Sequence, residues 1–84
     1  MEDMTEQEEL MIITAEECGE VIQACSKMLR FPGEQSTEML KKELGDLYCM
    51  IEICIEKRLL TYTDLMNGSK AKRHKLKEWS NLEL

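Results

Sequence analysis

Four acids in this chain stand where they could do chemistry. Glu17 and Glu20 are three residues apart, and so are Glu43 and Asp46. On a helix, residues at that spacing are neighbours on one side, so each pair would project from one face about a turn apart. Glu16 lies four before Glu20 and reaches the same side. Neither pair belongs to a polar face. Glu17 and Glu20 continue a stripe of Leu10, Ile13, Val21, Ala24 and Met28, and Glu43 and Asp46 continue one of Met39, Met50 and Ile53. Carboxylates on a buried face are costly and repel one another. A hard divalent cation with oxygen ligands compensates them directly. Four carboxylates from two facing helices match magnesium, with manganese as a substitute, and leave room for water and substrate phosphates. The competing explanation needs no metal: salt bridges from Lys27, Arg30 or Lys41 would neutralise the acids.

Other chemistries fit less well. A di-iron bundle uses Glu-x-x-His pairs, and the single histidine, His74, lies among cations far from these acids. Zinc favours Cys or His ligands. Cys18, Cys25, Cys49 and Cys54 are spaced by seven and five within each pair, neither a zinc knuckle nor a CxxC redox pair. They read as small reduced core residues of a cytosolic protein. There is no GxxxxGK[ST] loop and no Gly-rich dinucleotide fingerprint. A serine or cysteine nucleophile would lack a histidine base.

The elements that must hold the acids are helices. Residues 1–4 read as a frayed terminus. Thr5 with Glu8 resembles a capping box, and the apolar period then runs to about residue 29. Phe31-Pro32-Gly33 stops that helix, since proline disfavours helix at the residue before it and glycine permits a turn. Ser36 or Thr37 would cap a second helix reaching about residue 58, with Glu38 favourably placed in its first turn. Its second apolar face holds Leu40, Leu44, Leu47, Ile51 and Cys54, so it is apolar around much of its circumference and needs more than one neighbour. A third helix starts at Thr61 or Thr63 and runs to about residue 79. Asn67-Gly68 weakens it, and Leu65, Met66, Leu76 and Trp79 face inward. The last five residues are loose.

Composition supports this reading. The chain has 84 residues, one proline, four glycines and only four aromatic residues, which favours helices over strands. A single domain of this length buries only about 60% of the surface its unfolded chain exposes. Oligomerisation, as a homodimer or homotetramer, is therefore expected to complete the core. The first 20 residues hold eight acids and no Lys or Arg, unlike a signal peptide. No apolar run is long enough to span a membrane. A cytoplasmic protein is expected. Lys70, Lys72, Arg73, His74, Lys75 and Lys77 form a basic run. The net charge of −6 would still repel a nucleic-acid polymer. A solvated face, or a contact with one phosphate group, suits the run better.

Two motifs now stand out. Glu16-Glu17-Cys18-Gly19-Glu20 reads EExxE, and Glu43-Leu44-Gly45-Asp46 reads ExxD after a gap of 22 residues. In order, spacing and helical context, and in the glycine inside each motif, they resemble the MazG-type all-α nucleoside triphosphate pyrophosphohydrolases over roughly residues 8–76. That family includes dimeric dUTPases, dCTPases and phosphoribosyl-ATP pyrophosphohydrolase. The resemblance implies an all-α fold in which three-helix protomers dimerise into a four-helix-bundle-type core. It implies a single domain over residues 1–84 and cleavage of a nucleoside triphosphate between its α- and β-phosphates, giving a monophosphate and pyrophosphate. It implies that Glu17, Glu20, Glu43 and Asp46 hold magnesium. Glu16 would serve a second metal or orient the attacking water. Lys70 and Arg73, a turn apart, and Lys27 are candidates for the outer phosphates, and Asn67 for the base or sugar. Trp79 and Tyr48 fit a core or interface role better than base stacking.

Two other readings compete. One is a helical oligomerisation or adaptor module without catalysis, suggested by the acidic start, the apolar second helix and the basic third. Magnesium would then change neither its melting nor its hydrogen exchange. The other keeps the fold and changes the substrate to phosphoribosyl-ATP or another pyrophosphate-containing nucleotide.

Overall fold

The computed structural model describes residues 3–84. Its regular elements are three helices: α1 (Glu6–Arg30), α2 (Glu34–Glu56) and α3 (Tyr62–Trp79). Among the described residues there is no strand. Two compact units form, one running through Cys54 and the other starting at Ile55. The first contains α1 and nearly all of α2, and the second contains the end of α2 with α3.

Local sequence explains the helix ends. At α1 the Thr5 hydroxyl accepts from the Glu8 backbone N–H at 3.0 Å, and the Glu8 carboxylate accepts from the Thr5 N–H at 3.2 Å. This is the expected capping box. Glu6, Glu8 and Glu9 lie in the first turn and Lys27 and Arg30 in the last, each sign favourable for the helix dipole. Of the four residues expected to fray, the first two lie outside the described residues, and Asp3 and Met4 form a turn and bend.

Helix α2 starts earlier than expected. It begins at Glu34, directly after Gly33. Ser36 and Thr37 are therefore not its caps. Their hydroxyls donate backwards to the Gly33 carbonyl, at 3.1 and 2.7 Å. Their alternative use, bonding the backbone of the preceding turn, is common for these residue types inside a helix. The helix ends at Glu56, two residues short of the expected limit. There the Arg58 N–H donates to the Ile55 carbonyl at 2.9 Å, and Arg58 adopts a left-handed φ of 61°.

The short connection folds α2 back along α1. Close to the turn, the Ser36 and Thr37 hydroxyl oxygens lie 3.6 and 4.0 Å from the Met28 sulfur. Further out, Glu17 of α1 meets Glu43 and Asp46 of α2. Both sets of partners step away from the turn together, which is the geometry of an antiparallel helical hairpin. Its inner seam holds Leu10, Ala24, Met50 and Cys54, all buried. Ile13, Val21, Met28, Met39, Leu47 and Ile53 beside them are half-buried.

This core is thin. Among the described residues no large side chain is completely buried, while Ile22, Leu29, Leu44 and Tyr48 are exposed. Leu44, on the second apolar face of α2, is thus uncovered in the single chain. Of the four free cysteines only Cys54 is buried; Cys18, Cys25 and Cys49 are exposed, against the expectation of core positions.

In the second unit, Thr61 caps α3. Its hydroxyl accepts from the Asp64 N–H at 3.1 Å, and Asp64 accepts from the Thr61 N–H at 2.9 Å. The helix runs unbroken through Asn67-Gly68. Leu65 and Leu76 are half-buried, whereas Met66 and Trp79 are exposed. Lys72 lies over the Trp79 ring at 5.6 Å. Residues 80–84 carry no regular structure. Among the described residues no helix is long and apolar enough to cross a membrane.

Candidate metal centre in the helical hairpin

The hairpin places three carboxylates together. Glu17, Glu43 and Asp46 each offer an oxygen, and these oxygens lie within 4.8 Å of one another. Two local facts produce this. Glu43 and Asp46 sit almost one turn apart on α2, so they face the same way. Glu17 lies on the α1 seam between Ile13 and Val21, and the antiparallel pairing carries it opposite them. Glu43 is the most withdrawn, with 7% of its surface accessible. Glu17 and Asp46 are half-buried.

The electrostatics are those of crowded like charges. Burial, and then the charges of Asp46, Glu43 and Glu20, push the Glu17 carboxyl above the ordinary carboxylate value, with Lys42 acting in the opposite direction. The ammonium of Lys42 lies 2.9 Å from Asp46 Oδ2 and 3.1 Å from Glu43 Oε1. These hydrogen bonds, that to Asp46 first, hold Lys42 well above the usual lysine range. Among the described residues no buried side-chain polar atom lacks a hydrogen-bond partner.

The structure thus supplies a salt-bridging lysine, but not one of the expected three. Lys41 turns to Glu38 at 3.0 Å, and the Arg30 guanidinium lies over the Phe31 ring at 5.6 Å. Lys42 was legible in principle. It stands four residues before Asp46 and next to Glu43, and the first of these spacings is that of a helical ion pair.

The other site candidates are distributed as follows. Glu20 is exposed and stands outside the group of three, yet is near enough for its charge to raise Glu17. Glu16 is exposed on α1. Lys27 lines a depression of about 270 Å³ with Phe31, Gln35, Ser36 and Met39, at the turn end of the hairpin. A larger one, of about 640 Å³, lies at the start of α1 against Met11 and Ile12 and includes none of the motif acids. Asn67, Lys70 and Arg73 are exposed on α3, in the second unit.

The donor set can be tested against a metal directly. Three convergent carboxylates offer only hard oxygen donors and excess negative charge, and one of them is buried. That combination suits a hard divalent cation such as magnesium or manganese and is poor for zinc or copper, which favour nitrogen or sulfur.

A family model described as the MazG nucleotide pyrophosphohydrolase domain matches residues 5–79. The chain belongs to this family. The match spans all three helices and both acidic motifs. Searches of curated proteins and of solved structures returned no match. MazG domains depend in general on divalent metal, in keeping with the acidic cluster of the hairpin. Membership also implies a nucleotide substrate.

Proposed function

We propose that this MazG domain is a magnesium-dependent nucleoside triphosphate pyrophosphohydrolase. It would cleave the anhydride between the α- and β-phosphates, consume one water, and release a nucleoside monophosphate and pyrophosphate. The observation that carries the reading is the convergence of Glu17, Glu43 and Asp46 within 4.8 Å. These three would hold the cation, and Glu20, on the flank of the same helix face, is our candidate for a fourth ligand. The cation, when bound, supplies positive charge against the phosphate oxygens and lowers the pKa of nearby water.

The remaining roles fall to the chain's own residues. The Glu16 carboxylate accepts a hydrogen bond from the attacking water and orients it. The Lys27 ammonium pairs with an outer phosphate oxygen. Lys70 and Arg73 are candidates for the same task on charge alone, and Asn67 for a hydrogen bond to base or sugar. Phosphoryl chemistry depends mainly on positioning and electrostatics, so the absence of a protein nucleophile is no obstacle. We further propose that the chain works as a homodimer or homotetramer, since its lone hairpin leaves Ile22, Leu29, Leu44 and Tyr48 uncovered.

The test is product analysis over a panel of canonical and modified nucleoside triphosphates, with phosphoribosyl-ATP included. Monophosphate and pyrophosphate formed only with added magnesium support the proposal. Diphosphate and inorganic phosphate, or no turnover of any member, contradict it.

A further inference from the structure

We propose that Lys42 is a built-in counter-cation that a divalent ion must displace from Glu43 and Asp46. The inference rests on the metal-site reading above and adds a residue that neither acidic motif contains.

Three observations converge on it. The Lys42 ammonium contacts two of the three clustered carboxylates, at 2.9 and 3.1 Å, and so occupies coordination space on both. Glu43 is buried, and Lys42 is the cation paired with it. Without that pairing it would be a withdrawn charge beside two other acids, a costly arrangement. The Lys42 side chain is itself 69% exposed. It can swing into solvent without opening a cavity.

These facts define an exchange. In the metal-free hairpin the ammonium, paired with two acids of its own helix, offsets repulsion among the clustered carboxylates. A divalent ion seated on the same oxygens would lie within contact distance of the ammonium, and two cations that close repel. The lysine leaves as the ion enters. Lys42 therefore stabilises the metal-free protein and weakens metal affinity at the same time.

The experiment is a calorimetric titration of Mn²⁺, and separately Mg²⁺, into the full chain, comparing wild type with Lys42→Met and Lys42→Arg. Thermal melts with and without metal are run on all three. Lys42→Met is expected to bind metal roughly three- to tenfold more tightly, the scale set by two ion pairs whose lysine is solvent-exposed. It is expected to melt lower than wild type without metal and to recover the loss when metal is saturating. Lys42→Arg should track wild type. Far-UV circular dichroism checks that the exposed substitution leaves the helices intact. Unchanged or weaker binding by Lys42→Met, with wild type binding normally, overturns the exchange and leaves the metal site standing. Absence of binding in every chain overturns the metal reading, and the exchange with it.

Discussion

Glu17 of α1 and Asp46 of α2 bring carboxylate oxygens within 4.8 Å of each other, although most of the hairpin separates them along the chain. Such closeness is unfavourable between two anions in a partly desolvated place unless a cation is shared. The arrangement makes sense as a device for binding one, and its consequences can be measured.

Removing one candidate ligand should separate chemistry from folding. Asp46→Asn keeps the side chain's shape and loses its charge. We expect pyrophosphate release to fall by about a hundredfold or more, beyond what loss of an outer-shell partner usually costs a metal site. Far-UV circular dichroism should show the helices unchanged. Wild-type turnover in this variant would remove Asp46 from the site.

Glu17 should leave a signature in the pH dependence of stability. Burial and then the charges of Asp46, Glu43 and Glu20 raise its carboxyl above the ordinary value of 4.5. A carboxyl with a raised folded pKa holds its proton more tightly when folded. The metal-free protein therefore gains stability from Glu17 as pH falls from the raised value through 4.5, and loses that gain as pH rises. Glu17→Gln should flatten this part of the profile and make the metal-free chain more resistant to urea at neutral pH. Superimposable urea midpoints for wild type and variant, from the acid range to neutrality, would count against the cluster.

The capping box of α3 makes a prediction in the second unit. Thr61→Ala loses the hydroxyl that accepts from the Asp64 N–H, which should cost about 1 kcal/mol. In a domain of this size that corresponds to roughly 4–8 °C in melting temperature. The same box holds Asp64 below the usual carboxylate range, chiefly through its bond from the Thr61 N–H. Its contribution is present above the unfolded pKa and fades as pH falls through the lowered one. A Thr61→Ala melt matching wild type at neutral pH would show that the box adds no stability.

Legibility in the sequence followed the range of the interactions. The capping box at Thr5 is readable because it closes within four residues, whereas the sequence leaves Thr61 and Thr63 both open as the start of α3 and the bonds between Thr61 and Asp64 decide for Thr61. The stop at Pro32-Gly33 was equally local. The start of α2 was misplaced because Ser36 and Thr37 are equally suited to capping a helix and to bonding back within one. Only the backbone path after Gly33 separates the two.

The acids were readable as pairs because helix periodicity places Glu43 and Asp46 on one side. Their meeting with Glu17 depends on how α1 and α2 pair, which residue types alone leave open. Glu20 lies three residues past Glu17, about 60° around the helix at 3.6 residues per turn. The same offset leaves Asp46 half-buried on α2, so spacing alone does not decide whether the second acid of a pair faces the seam. The cysteines misled because apolar character does not decide which face of a thin hairpin is covered: Cys54 faces the seam, while Cys18, Cys25 and Cys49 do not.

Exposed apolar residues on α2 lead to a prediction about assembly. Leu44 and Tyr48 are one turn apart and 46% and 62% accessible in the single chain. If they are covered in an oligomer, Leu44→Ser with Tyr48→Ser should weaken association by at least about tenfold, given about 1.5–3 kcal/mol for burying one large apolar side chain. Sedimentation over a concentration series reads this directly. A wild-type chain that sediments as a monomer throughout would contradict the assembly proposal.

The most direct test of the central claim is a magnesium titration followed by amide NMR on the uniformly labelled chain. A cation held by the hairpin acids should give saturable shifts centred on residues 16–20 of α1 and 42–46 of α2, lost in Asp46→Asn. Shifts confined to the acidic first turn of α1, or no saturable shift at all, would contradict it.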